Sequence, residues 1–273
     1  MITFTLEVEM RILPGAADRR RAYVVAIALL CITSLQLLAQ NHAVAPSLGE
    51  QLTAEQVAIR LEEKNQERAL ALRQVEGSRI YHMHYQGLGT KDAQMKVQMD
   101  FEAPANKRFT VVSQDGSKFI IDHVFKKLMQ SEQEATGEEN RRRTALSREN
   151  YEFSLVAYEP NPEGGCYVLR VSPRTKNKFL YRGKIWVDAK DFAVTSIQAE
   201  PAASPSFWIT KTEIAHQYVK VGDFWLPAQN RTESQIRFGG RASLTIEYTN
   251  YKIISVAPSG KAASAQLPPA PRP

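Results

Sequence analysis

Two cysteines among 273 residues cannot supply a disulfide framework, so any core must be held by burial alone. The chain has no Gly-rich nucleotide fingerprint, no G-x-S-x-G elbow and no H-E-x-x-H helix. Phosphate cradles, serine hydrolases and zinc proteases thus lose their usual sequence support. Charge of one sign is also scarce: 35 Lys and Arg face 29 Asp and Glu, a net +6. Spread over such a length, that surplus does not mark a nucleic-acid partner. What is present is an ordinary globular composition, 43% hydrophobic, which excludes a wholly disordered chain.

Long apolar runs are missing except at the start. Arg19, Arg20 and Arg21 precede an apolar run from Ala22 to Ala39, followed by small residues. That order is the order of a secretory signal, with cleavage after Ala39 or after Ala43-Val44-Ala45. Residues 1–45 are therefore expected to be a signal peptide, and the remainder to be exported to the periplasm. A retained inner-membrane anchor is the alternative, since about 20 apolar residues span a bilayer. Thr33, Ser34 and Gln36 weigh against it. Cys31 would leave with the signal, making Cys166 the lone exported thiol, best used as a buried apolar residue.

Residues 46–256 read as one domain. Thr53 stands three before Gln56, a capping-box spacing, and Val57, Leu61, Ala69 and Leu72 recur at helical intervals. These predict a helix over 53–76, ended by Gly77. The period then becomes two. Tyr81, Met83 and Tyr85 share one face of a strand over 79–87, and Met95, Val97, Met99 and Phe101 one face of the next. Phe109–Val112, an Asp115-Gly116 hairpin turn and Lys118–Ile121 predict two more strands. Residues 122–148 are charged and rich in helix formers, a helical insert broken near Gly137. Seven further strands, near 151–158, 166–172, 178–188, 192–200, 207–220, 224–236 and 242–254, are separated by turn residues. About eleven strands joined by short turns imply antiparallel order. The expected fold is mainly β (α+β): an incomplete antiparallel barrel with helices covering the open side. The tail 257–273, rich in Pro, Ala and Ser, is expected to be disordered.

Candidate chemistry is thin. His82 and His84 lie one pleat apart and supply half a metal site, so no metal and no cofactor are expected. Cys166 follows Gly164-Gly165 without a visible activating base, so no catalytic residue is assigned and the protein is not expected to be an enzyme. The informative feature is the apolar strand face of Tyr81, Met83, Tyr85, Met95, Val97, Met99 and Phe101, with Phe153 and Trp208 from later strands. Methionine and aromatic side chains suit a surface that accepts flexible apolar ligands, because thioethers repack easily. They equally suit a plain core, and composition alone favours the core. Two basic clusters, Arg141–Arg143 and Arg174 through Lys184, are solvated faces or contacts for anionic headgroups or an acidic partner.

Asn177-Lys-Phe-Leu-Tyr-Arg-Gly-Lys-Ile-Trp-Val-Asp188, Asp191-Phe-Ala-Val, Ser204-Pro-Ser-Phe-Trp208 and Gly222-Asp-Phe-Trp-Leu-Pro227 resemble the strand–turn–strand elements of the outer-membrane lipoprotein-sorting proteins, the LolA/LolB-like group. The resemblance covers most of 50–255. It implies a half-open barrel closed by helices, an apolar cavity for acyl chains, a cavity arginine that the sequence does not place, and mobile lid helices. It thereby moves the Met/Tyr face from core towards ligand cavity. A related branch uses the fold as a periplasmic sensor of mislocalised lipoproteins.

The expected function is therefore a non-catalytic periplasmic binding protein for acyl chains of lipoproteins or other lipids, serving outer-membrane lipoprotein sorting or transport. The alternative is an envelope sensor or scaffold that binds a protein partner without a ligand in its barrel. Peripheral membrane contact fits either reading, and no nucleic-acid partner is expected.

Overall fold

The computed structural model describes residues 51–257, apart from 88, 135, 136, 163, 178, 205, 206 and 238. The signal-like segment and the Pro-rich tail beyond 257 lie outside the described residues. No helix among the described residues is long and apolar enough to cross a membrane.

Helix α1 (Ala54–Ala71) begins where the sequence signals it. The Thr53 side chain accepts from the Gln56 backbone N–H, and the Gln56 side chain accepts from that of Thr53. Its buried stripe is short: Val57, Ala58 and Leu61. The helix ends at Ala71, five residues before the expected end. Leu72–Gly77 instead opens strand β1 (Leu72–Gly87), where Val75 packs with Phe224 and Leu226. Gly77 does not stop a helix. It is a buried strand residue, and a Cβ there would come within 3.0 Å of the Tyr251 ring.

Strands β2 (Gly89–Glu102) and β3 (Asn106–Gly116) continue the meander outward. The strand expected over 118–121 is not formed. Asp115-Gly116 ends the edge strand, the Ser117 N–H donates to Asp92 O, and the chain turns into helix. Helix α2 (Lys118–Ile120) passes through a π-helical turn (Ile121–Phe125) into α3 (Lys126–Glu134), followed by α4 (Glu138–Thr144). The buried residues Ile120/Ile121, Val124/Phe125 and Leu128/Met129 recur every four positions. At about 100° per residue an ideal α-helix would drift off one face at that spacing, and a wider turn offsets part of the drift.

Strands β4 (Tyr151–Glu159), β5 (Cys166–Pro173), β6 (Tyr181–Asp188), β7 (Val194–Pro201), β8 (Ile209–Val221), β9 (Phe224–Ile236) and β10 (Gly240–Val256) complete one ten-stranded sheet. Its order is β3-β2-β1-β10-β9-β8-β7-β6-β5-β4, and all pairings are antiparallel. The sheet is not closed. After β3 the helical insert carries the chain from one edge to the other, where β4 starts the meander back to β1.

Register places both helical covers on the same face. Tyr81, Ile246, Asn230, His216, Ile197, Ile185 and Leu169 stand in one row of successive cross-strand partners. Directly opposed residues of antiparallel strands project to one side. At one end of the row, Val57 and Leu61 of α1 pack with Leu169, Ile185 and Ile197. At the other, the α2–α3 segment packs on Tyr81 and Ile246. A third cluster, of Val75, Phe224 and Leu226, fills the end of the sheet where β1 begins.

Candidate functional site

The covered face divides into two apolar floors and a polar strip between them. The strip consists of Thr212 and His216 on β8 with Asn230 and Ser234 on β9. The Thr212 and Ser234 hydroxyls lie 3.2 Å apart, and His216 is hydrogen-bonded to Asn230. Burial lowers the His216 imidazole to about 4, so it stays neutral near pH 7.

The floor under α2–α3 matches the predicted Met/Tyr face most fully. Tyr81 and Met83 of β1, Met95 and Val97 of β2, Phe109 of β3 and Leu244, Ile246 and Tyr248 of β10 share one cluster. Met99 is buried beside them on β2, opposite Phe109. Ile120, Ile121, Val124, Phe125, Leu128 and Met129 fill the space above. The Tyr81 and Phe125 rings meet at 5.6 Å, tilted by 44°.

One charged group lies among these side chains. Arg79 is two residues before Tyr81, so the strand alternation turns it inward. Its guanidinium donates to both carboxylate oxygens of Glu132 on α3, at 2.6 and 2.9 Å. Lys107 Nζ reaches Glu132 Oε1 at 2.7 Å, and Arg79 Nη1 lies 3.3 Å from the Tyr81 hydroxyl. The guanidinium also sits 5.0 Å from the Phe109 ring centroid and 4.9 Å from that of Tyr248. Burial alone would raise the Glu132 carboxyl, but the two cations outweigh it and hold the group well below the usual carboxylate range. Burial pushes the Tyr81 and Tyr248 hydroxyls up, which keeps both neutral. Arg79 Nε is buried with no hydrogen-bond partner among the described residues.

The remaining predicted lining residues lie elsewhere. Tyr85 is half-buried near the end of β1, opposite Ala242. Phe101 packs on the Val75 cluster, and Phe153 packs on the floor under α1. Trp208 is exposed just before β8, edge-on to Phe207 at 5.5 Å. His84 Nδ1 lies 2.6 Å from Asp92 on the exposed side of the β1–β2 hairpin. Among the described residues no group of three or more His, Cys, Asp and Glu could hold a metal ion. Cys166 is half-buried, and burial pushes its thiol pKa up. The sequence reading missed Arg79 and Glu132. Arg79 was detectable as an inward position of its strand, whereas Glu132 is one of several polar residues that follow Leu128 and Met129 in α3, with no local pattern to single it out.

No family model matches the chain, and no curated protein matches it in sequence. Solved structures similar to it include a DUF1329 family protein from Desulfovibrio piger, 12% identical, covering 74% of this chain and 94% of that one at a TM-score of 0.38. A LolA superfamily protein from Nitrosomonas europaea is 10% identical over 76% of this chain and 96% of its own, with a TM-score of 0.32. The MucA/MucB complex from Pseudomonas aeruginosa is matched at 10% identity, with 71% and 92% coverage and a TM-score of 0.25. The open antiparallel sheet described above rests on this chain's own strand pairings.

Proposed function

We propose that this chain is a non-catalytic periplasmic binding protein that takes acyl chains of lipoproteins or other lipids onto the Met/Tyr floor, serving their sorting or transport. One observation carries the reading. The floor is roofed by a separate helical segment whose buried polar tie to it is the Arg79–Glu132–Lys107 cluster. Apolar ligands can replace Phe125, Leu128 and Met129 over Tyr81 and Met95 and keep the floor covered. An anionic headgroup can replace the Glu132 carboxylate at Arg79. Arg79 thus fits the cavity arginine that the family resemblance implies, and α2–α3 fit the lid. Export follows from the apolar start of the chain.

The test is titration of the folded protein with fluorescent acyl probes of increasing length. Each buried methylene contributes about 0.8 kcal/mol, so affinity should rise with chain length until the floor is covered. Met99→Asp should abolish binding, with circular dichroism confirming that the fold survives. A folded protein that binds no probe of any length would leave the protein-interaction reading. That reading has its own support in β3, whose outer edge is unpaired among the described residues and exposes Val111 and Val112.

A further inference from the structure

The exposed aromatic residues are not scattered. Phe119, Phe179, Phe207 and Trp208 are 59%, 39%, 55% and 37% exposed. All four lie at one end of the sheet. Register defines that end: β1 finishes there opposite the start of β2, β9 finishes opposite the start of β10, and β7 finishes opposite the start of β6. Phe119 follows the end of β3, Phe179 precedes β6, and Phe207 and Trp208 precede β8. The large exposed side chains elsewhere, such as Leu70, Val111, Val219 and Val256, are aliphatic.

Cations accompany these rings. Lys91 Nζ lies 5.3 Å from the Phe119 ring centroid, and the Arg237 guanidinium 4.2 Å from that of Phe207. Lys118, Lys176 and Arg241 are exposed at the same end. Asp92 there is engaged by His84, and the exposed acids Asp115 at the end of β3 and Glu149 before β4 are outnumbered by Lys91, Lys118, Lys176, Arg237 and Arg241. Two surface concavities open on either side of Thr210. One, of about 430 Å³, is lined by Arg241 and the Gly239-Gly240 turn. The other, of about 210 Å³, is lined by Arg182 and Lys211, which pair with Glu200 and Glu213.

We infer that this end of the sheet is a docking surface for an anionic lipid bilayer. Aromatic rings with a cation at the face or flank are suited to the headgroup layer: the ring enters the interface and the long basic side chain reaches the phosphates. Charge complementarity selects the occupant, because exposed rings alone would suit any apolar partner, whereas rings ringed by Lys and Arg favour a negative surface. Phe119 and Lys118 belong to the α2 roof of the ligand floor, whereas Lys176, Phe207, Trp208 and Arg241 lie outside it, so the test rests on these four.

The test uses the full chain with vesicles of equal parts phosphatidylglycerol and phosphatidylcholine, and with pure phosphatidylcholine to measure binding through the apolar N-terminal run. The expected result is tighter binding to the anionic vesicles, reduced at least tenfold in Phe207→Ser/Trp208→Ser. Lys176→Glu/Arg241→Glu should lower the anionic preference by roughly fivefold or more per position, with pure phosphatidylcholine binding unchanged. The tryptophan emission should shift to the blue on anionic vesicles, and that shift should vanish in Trp208→Phe while binding persists. Anionic-vesicle binding equal to wild type in both double variants would overturn the inference and leave the rings to a protein partner. An emission shift unaltered in Trp208→Phe would overturn it as well. Acyl-probe titration of the same variants should be unchanged, which separates failure of the docking surface from failure of the ligand floor.

Discussion

Arg79 and Glu132, 53 residues apart in sequence, form a two-pronged ion pair at 2.6 and 2.9 Å with both side chains almost fully buried. A pair in that setting contributes little beyond what an apolar replacement would, yet removing one member leaves a buried charge unmatched. Glu132→Ala, which leaves Arg79 unmatched, should therefore destabilise by about 3–5 kcal/mol, and Arg79→Ala by less, because Lys107 still pairs with Glu132. Arg79→Met/Glu132→Leu should recover most of that loss. Chemical denaturation of the three variants checks the cycle; equal losses in single and double variants would contradict it.

The same pair sets a pH dependence. The Glu132 carboxyl is held below its ordinary value of 4.5, at about 2, so between those values the unfolded chain binds the extra proton. Stability from this group is fully present above about pH 4.5 and is lost as pH falls towards 2. Glu132→Gln should flatten that part of the stability profile, measured by urea midpoints from pH 6 down to pH 2.5.

The meander was legible in the sequence because its period of two survives wherever one face is covered, as in Met95, Val97 and Met99. Two boundaries were not. Val75 stands at the helical interval after Leu72 and also on the buried alternation Val75, Gly77, Arg79 and Tyr81 of β1, and only pairing with β10 and β2 decides between them. Lys118–Ile121 has strand-like residues, but Ile120 and Ile121 are both buried, which an alternating strand with one wet face does not allow. The candidate site was half legible. Local alternation marks a floor, while the roof that covers it depends on a chain crossing between the two sheet edges.

Trp186 illustrates the limit of reading burial from residue type. Its neighbours Ile185 and Val187 take the buried face, and the indole is half-buried on the other side, donating to Glu159 Oε2 at 3.1 Å. Ile185→Ala should cost about 2–5 kcal/mol, the range for a truncated core aliphatic. Trp186→Ala should cost less than Ile185→Ala, because the indole is only half-buried. Thermal melts of both variants decide the order.

At the start of α1, Thr53→Ala removes one half of the capping box and should destabilise by about 1 kcal/mol. Thr53→Ser should restore nearly all of it, because the hydroxyl that accepts from Gln56 is kept. A loss reproduced by Thr53→Ser would assign the effect to the missing methyl group instead.

Ligand entry should be visible in backbone exchange, and the two helical covers should respond differently. Helix α1 is fixed by Val57 and Leu61, by Arg68 donating to the Asp191 and Phe192 carbonyls at 2.9 Å, and by Arg148 bridging Glu55 and Glu62. The α2–α3 segment rests on apolar contact, the Glu132 cluster and Gln133 donating to the Lys107 carbonyl at 3.0 Å. An acyl chain on the Met/Tyr floor must displace it, whereas the floor under α1 needs no change. Amide protection over 118–134 should therefore fall when a saturating acyl probe binds, while protection over 54–71 stays constant. Glu132→Gln should lower protection over 118–134 without ligand and raise probe affinity, since the roof then competes less well for the floor. Probe binding with unchanged protection over 118–134 would place the ligand elsewhere in the molecule.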